Sequence, residues 1–178
     1  MKRTMYITAS VSLMLMFLFF FIFRATQSDI FSALCITSMT ICFHFTARLV
    51  IGTVLDAVKP ARFDPKSAWF RERSFERRLF GILRIKALKK YAPTYDDKQF
   101  SLKDNTGYEL AQASCRAELV HILCAVASLS TIFFSNLFGE TFVFAVTAVF
   151  GALIDLFFVL VQRYNRPRFL RHNRTKNG

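Results

Sequence analysis

Residues 141–162 read TFVFAVTAVFGALIDLFFVLVQ and carry one charged side chain, Asp155, in 22 positions. A helix needs about 20 apolar residues to cross the hydrocarbon core of a bilayer, whereas helices of soluble proteins are usually much shorter. The strict alternation of apolar and polar residues that marks membrane-barrel strands is missing from this run. The stretch therefore predicts a transmembrane helix.

Three further uncharged runs have the same character and lie at 5–23, 30–47 and 119–139. We therefore expect an all-α, polytopic membrane protein, organised as one membrane domain over residues 1–178. Its four transmembrane helices are expected at about 5–23, 30–50, 118–139 and 141–162. Lys2 and Arg3 precede the first run as in a signal peptide, but the apolar region of a signal peptide is usually about 7–15 residues long. We favour an uncleaved anchor.

The basic residues are distributed unevenly along the chain. There are 24 Lys and Arg against 12 Asp and Glu, which gives a net charge of +12. Fourteen of the basic residues lie between Asp56 and Arg116, six follow Val161, and none lies in the turn 135–140. The positive-inside rule then predicts that both termini and the middle loop face the cytosol. The basic excess indicates contact with the lipid bilayer and does not indicate a nucleic-acid partner.

The middle loop, 56–116, contains a predicted amphipathic helix. Pro60 and Pro65 favour a turn or extended connection near the start of the loop. From about 68 to 91, apolar residues recur at three- and four-residue spacing among arginines and lysines, which predicts a basic amphipathic helix. These apolar residues are Phe75, Leu79, Ile82, Ile85 and Leu88. We expect the helix to lie flat on the membrane surface, or alternatively to pack over the bundle as a lid. An irregular loop is expected from Thr94 to Gly107.

Ionisable side chains interrupt three of the predicted transmembrane helices, although a charge at the centre of an isolated helix costs ~2.5–3.5 kcal/mol. His44 and Arg48 lie one turn apart, as do Glu118 and His121, and Asp155 lies on the last helix. Their similar depth predicts one shared polar pocket that opens to the cytosol. In the alternative interpretation, arginines reach to lipid headgroups while His44 and Asp155 only hold helices together.

Motifs of several familiar enzymes are missing from the sequence. There is no G-x-S-x-G elbow, no G-x-x-x-x-G-K-S/T loop and no H-E-x-x-H zinc motif. Neither His44 nor His121 begins the H-x-x-x-x-D motif of glycerolipid acyltransferases. The four cysteines form no C-x-x-C pair, so we expect them to pack, with a thioester on Cys115 as a minor alternative. We predict neither a metal ion nor a cofactor.

Two stretches resemble a known family. They are RAELVH at 116–121 and QRYNRPR at 162–168, the latter followed by Phe169 and Leu170. The glycosyl-4,4'-diaponeurosporenoate acyltransferase family, which comprises small bacterial membrane enzymes of staphyloxanthin-type carotenoid synthesis, reads RAELIH and QRYNRPRL there. The likeness covers roughly Trp69 to Leu170. It implies transfer of a fatty acyl group to a sugar hydroxyl of a lipid in a bacterial cell membrane.

Our leading hypothesis is therefore an acyltransferase whose donor is cytosolic and activated, most simply acyl-CoA as a co-substrate. His121 is the general base, Glu118 orients it, and Arg116 or Tyr164 faces the oxyanion. Guanidinium groups match phosphates well, so the donor's phosphates are assigned to Arg163, Arg166 and Arg168. Asn165 makes a local hydrogen bond. The remaining substrate-binding candidates are His44, Arg48 and Asp155.

A protein without catalytic activity is the rival interpretation, either a scaffold in a lipid-modifying complex or a small lipid carrier. It uses the same charges to hold helices together or to line a substrate pathway. Joint substitution of Glu118 and His121 separates the two hypotheses. A scaffold loses stability or partner binding in parallel with function, whereas an enzyme loses turnover alone. The sequence leaves the oligomeric state open.

Overall fold

A computed structural model describes residues 2–88 and 105–176. Within these ranges the chain is helical and has no strand. Four helices are long and apolar enough to cross a membrane, and they cover Arg3–Thr26, Asp29–Asp56, Gly107–Phe138 and Thr141–Arg171. The predicted fold class, an all-α polytopic membrane protein with four transmembrane helices, is confirmed.

The described residues form seven α-helices. They are α1 (Lys2–Thr26), α2 (Asp29–Asp56), α3 (Ser74–Ile82), α4 (Ile85–Leu88), α5 (Gly107–Ser130), α6 (Ser135–Phe138) and α7 (Thr141–Lys176). Short 3-10 helices cover Pro60–Arg62, where the sequence predicts a turn, and Thr131–Phe134. Gly139, with φ of 70°, makes the sharp turn into α7, because a side chain at this φ would be strained.

The third transmembrane helix begins at Gly107, well before the predicted start at residue 118. Thr106 and Glu109 form a capping box: Glu109 accepts from the Thr106 backbone N–H at 2.7 Å, and the Thr106 hydroxyl accepts from the Glu109 N–H at 3.2 Å. The cap allows the helix to start among polar residues. Hydropathy alone located the apolar part of the helix and missed its polar beginning.

The last helix, α7, runs to Lys176, beyond the predicted end at residue 162, and contains Pro167. Proline removes one backbone donor and usually kinks or ends a helix. Here the arginines that precede it bond to carboxylates and carbonyl groups of other elements, so the polar extension of the helix is held in place. This tertiary packing overrides the local break signal.

The predicted amphipathic helix at 68–91 is shorter than expected and is divided. α3 begins at Ser74, and Arg84, with φ of 48°, separates it from α4. Phe80 and Ile85 are buried against Val161 of α7, while Phe75 and Ile82 are exposed. Whether the helix lies flat on the membrane or acts as a lid over the bundle stays a prediction. Lys89–Tyr91, and most of the loop predicted from Thr94 to Gly107, lie outside the described residues.

The contacts divide the chain into two compact units. The first comprises Met1–Thr53 and Leu123–Asp155, and the second comprises Val54–Ile122 and Leu156–Gly178. In the second unit, Phe63 and Phe70 are buried against Cys115 of α5. The single membrane domain stays a prediction.

Candidate active site

The carboxylate of Glu118 lies between two arginines of α7 in the second unit. Its side chain is fully buried. Oε1 accepts a hydrogen bond from Arg163 Nε at 2.8 Å, and Oε2 accepts one from Arg166 Nη2. A carboxylate that is shielded from water in this way needs such cationic donors, because an isolated buried charge is very unfavourable.

The same two arginines extend the network to α3 and to the segment before it. Arg163 donates to Glu76 Oε1 of α3 and, at 2.9 Å, to the Trp69 carbonyl. Arg166 donates to the Phe70 carbonyl at 2.8 Å, and its guanidinium carbon lies 4.9 Å from the Phe70 ring centroid. Two cations and two carboxylates balance in charge, so the network ties three helices together without a net charge.

Two buried polar atoms of this network have no hydrogen-bond partner among the described residues. They are Glu76 Oε2, an acceptor, and Arg166 Nε, a donor. Each residue is about 3% exposed. Buried polar atoms are nearly always paired with protein or ordered water, so each of these two atoms can take one further hydrogen bond, to a water molecule or a hydroxyl group.

His121 lies one turn after Glu118 on α5 and is half-buried. Its ring stacks on that of Phe158, with centroids 4.7 Å apart and planes inclined by 12°. The stacking fixes the plane of the imidazole. Since both oxygens of Glu118 accept from arginines, orientation of His121 by Glu118 stays a prediction, as does its role as the base.

The other predicted site residues of the second unit are bound in different ways. Arg116 pairs with Asp56 at 3.1 Å. Tyr164 packs edge-on against Phe80, and its hydroxyl accepts from Arg168 Nη2. Asn165 is half-buried on α7.

The predicted contacts of Arg116, Tyr164, Asn165 and Arg168 with an oxyanion or with the donor stay predictions. The same holds for Arg163 and Arg166. Arg163 and Arg166 are already engaged by carboxylates, whereas Arg168 is exposed.

The remaining three predicted residues come together in the first unit. Arg48 donates to Asp155, from Nη2 to Oδ2 at 2.7 Å and from Nε to Oδ1 at 3.4 Å. His44 Nδ1 lies 3.0 Å from the Ser128 hydroxyl, and its buried Nε2 has no partner among the described residues. The single pocket predicted for all ionisable residues would join the two units and stays a prediction.

Gly151 of α7 gives the His44–Ser128 pair its space. A Cβ at this position would lie 3.1 Å from Ser128 Oγ and 3.2 Å from His44 Cε1, which is closer than ordinary packing. The backbone approaches the pair because this residue has no side chain. Sequence reasoning did not identify Gly151 or Ser128.

We expect Gly151→Leu to destabilise the first unit by about 1–3 kcal/mol, because the new side chain must displace Ser128 and His44. The matched control is Gly52→Leu on α2, where nothing lies within 4 Å of the added Cβ. Thermal unfolding of both variants in detergent measures the difference. Equal unfolding temperatures would show that this packing contributes nothing.

Glu76 is the residue of the network that sequence reasoning missed. The many arginines and lysines of the predicted amphipathic helix concealed it, although Glu76 is one of only two acidic residues between Arg71 and Lys90. Its position four residues before Phe80 puts both on the face that is buried. An acidic residue one turn from an apolar position, on a helix that is otherwise basic, could have indicated that Glu76 has a buried cationic partner.

The described residues provide no group of three His, Cys, Asp or Glu side chains arranged to hold a metal ion. All four cysteines are described and are free thiols. Cys115 and Cys124 are buried.

The model of the glycosyl-4,4'-diaponeurosporenoate acyltransferase family matches residues 66–175, which is more than half of the chain. The matched range contains Glu76, Glu118, His121, Arg163 and Arg166. No curated protein and no solved structure gives a significant match to the chain.

Proposed function

Because the chain belongs to the glycosyl-4,4'-diaponeurosporenoate acyltransferase family, we propose that it transfers a fatty acyl group to a hydroxyl of a membrane lipid. The donor in this proposal is cytosolic and activated, most simply acyl-CoA as a co-substrate without a further cofactor. The acceptor is a sugar hydroxyl, as on a glycosylated carotenoid. The match over 66–175 is the observation that carries the proposal.

In the proposed reaction, His121 removes the proton of the acceptor hydroxyl, whose oxygen attacks the acyl carbonyl carbon. A new C–O bond forms, the C–S bond of the thioester breaks, and His121 returns the proton to the leaving thiolate. Stacking on Phe158 supports this role, because a fixed ring plane holds the accepting nitrogen in one direction. Glu118 contributes by keeping α5 and α7 in place beside His121.

The developing oxyanion requires a hydrogen-bond donor or a cation. We assign this task to Tyr164, because a hydroxyl that accepts from a guanidinium is a stronger donor. Arg116 is the alternative, although its pairing with Asp56 competes. Among the candidate arginines we assign donor phosphates to Arg168, since it is exposed and is not bonded to a carboxylate of the network.

The protein is proposed to lie in the bacterial cytoplasmic membrane with both termini in the cytosol. Four crossings bring the two ends of a chain to the same side, and the basic residues of the middle loop and the tail favour the cytosol. Labelling of single cysteines introduced at Lys66 and at Arg171 with an impermeant reagent tests this topology. Labelling in intact cells would contradict it.

We expect His121→Ala to lower kcat by about 10²–10⁴-fold, which is the usual contribution of a general base. The protein should remain folded, because His121 is only half-buried. Val126→Ala, at an exposed position of the same helix, is the control and should keep full activity. An active His121→Ala protein would remove this residue from the mechanism.

The proposed function is tested by incubating membranes that contain the protein with labelled acyl-CoA and identifying labelled lipids by mass spectrometry. We expect the label in an ester on a lipid-linked sugar. If the label never exceeds that of membranes without the protein, the scaffold interpretation replaces this proposal. Loss of binding in the joint Glu118 and His121 variant does not separate the two, because loss of the buried Glu118 carboxylate is itself expected to unfold the protein.

A further inference from the structure

The outer face of α3 combines cations with large apolar side chains. Phe75 and Ile82 are 57% and 77% exposed, and Arg78 lies between them on the same side of the helix. Trp69, before the helix, is 56% exposed, and Leu88, after it, is 43% exposed. Apolar side chains of this size are seldom grouped on a surface that faces water.

The cations of this segment greatly outnumber its exposed acids. The exposed cations are Arg71, Arg73, Arg77, Arg78, Arg84 and Lys86. Glu72 accepts from Arg77 at 3.2 Å, and Glu76 is buried against Arg163. The outer face is therefore strongly positive. We use the name basic–aromatic face for these six exposed cations of the segment 69–88 together with the exposed residues Trp69, Phe75, Ile82 and Leu88.

This face belongs to an element that packs directly on a membrane-crossing helix. Phe80 and Ile85 are buried against the stretch of α7 from Phe157 to Tyr164, which includes the end of the apolar run 141–162. The inner side of α3 and α4 thus packs on α7 and their outer side does not. Because the predicted transmembrane run of α7 ends at residue 162, we expect this outer side near the membrane boundary.

We propose that the basic–aromatic face binds anionic phospholipids, with its cations on the headgroup phosphates and its apolar side chains in the boundary between headgroups and acyl chains. Interfacial helices bury such side chains about 5–10 Å into this boundary, and clusters of about four to eight Lys and Arg select anionic lipid. A soluble acidic partner would satisfy the cations but would leave Phe75 and Ile82 against water. The phosphates of a free nucleotide would engage only part of the face.

The single tryptophan of the chain, Trp69, lies in this face and provides the measurement. The whole protein is placed in phosphatidylcholine nanodiscs that contain a minor fraction of brominated lipid, either phosphatidylglycerol or phosphatidylcholine. We expect brominated phosphatidylglycerol to quench Trp69 fluorescence more strongly than the same fraction of brominated phosphatidylcholine. Equal quenching by the two lipids would overturn the proposal.

The variant Arg73→Gln/Arg78→Gln removes two cations of the face and keeps its apolar residues. We expect the preference for phosphatidylglycerol to fall about fivefold for each residue replaced. Arg3→Gln/Arg24→Gln, which removes two exposed cations of α1, is the control and should keep the preference. Circular dichroism confirms that both variants are folded. An unchanged preference in the first variant would contradict the proposal.

Adenosine 3',5'-bisphosphate separates lipid from a donor-derived phosphate. We expect it to leave the quenching of Trp69 by brominated phosphatidylglycerol unchanged. Release of the quenching at low concentration of the nucleotide would show that the face binds nucleotide phosphates instead. The measurement involves no acyl transfer, so its outcome does not depend on the proposed function.

Discussion

Glu118→Gln is expected to abolish stable folding of the protein, because the substitution leaves the buried Arg166 without a carboxylate and leaves Arg163 with Glu76 alone. Removal of one partner of a buried ion pair typically costs about 3–5 kcal/mol. Each Glu118 oxygen accepts from a different arginine, so in the amide one oxygen is replaced by an NH2 group whose N–H groups face an arginine donor. The yield of monodisperse protein in detergent and its thermal unfolding measure the effect.

Glu109→Gln, the same exchange at an exposed position of the same helix, is the matched control. It weakens the capping box but leaves no charge buried, so it should unfold close to the wild-type protein. A folded, inactive Glu118→Gln protein would indicate a direct role in the reaction. A folded and active one would show that the network stabilises little.

Arg48→Met is expected to destabilise the first unit by about 3–5 kcal/mol, and more than Asp155→Asn does. The two partners differ in exposure: the Asp155 side chain is fully buried, whereas 20% of the Arg48 side chain is exposed. Without Arg48, the carboxylate loses its cation in an apolar environment. Without the carboxylate, the long Arg48 side chain can extend toward the polar headgroup region. Thermal unfolding in lipid nanodiscs compares the two variants.

The joint variant Arg48→Met/Asp155→Leu is expected to regain most of the stability, because it removes both charges from the membrane interior. Stability below that of Arg48→Met alone would contradict this account. A larger loss of stability in Asp155→Asn than in Arg48→Met would also contradict it, because the prediction depends on Asp155 being the more deeply buried charge.

The transmembrane helices were predictable because hydropathy depends on local sequence alone. That Arg48 and Asp155 each need a partner was also predictable, because both lie at apolar positions. That they pair with each other across 107 positions was not. The capping box at Thr106 was also readable from the sequence, as T-x-x-E directly before an amphipathic stretch. The prediction used only the length of the apolar run and therefore missed the capping box.

The partners inside the second unit could not be read from the sequence. Glu118 lies one turn from His121, and local spacing therefore paired these two residues, whereas the carboxylate accepts from arginines 45 and 48 positions away. Glu76 meets Arg163 across 87 positions. Such pairings depend on which helix faces approach one another, and a single sequence does not encode this in any local pattern.

The extension of α7 beyond Pro167 shows the same limit. Proline and a run of arginines are local signals for the end of a helix. Arg163 and Arg166, on the turn before the proline, are fixed by contacts with α5 and with the segment around Phe70. Their tertiary hydrogen bonds outweigh the local signal.

The most direct test of acyl transfer at His121 is release of free CoA by the purified protein in nanodiscs, measured with and without a glycosylated lipid. We predict that the wild-type protein releases CoA only with the glycosylated lipid, in amounts equal to the acylated product, and that His121→Ala releases almost none. Release at the same rate by both proteins, or without any acylated lipid, would contradict the account.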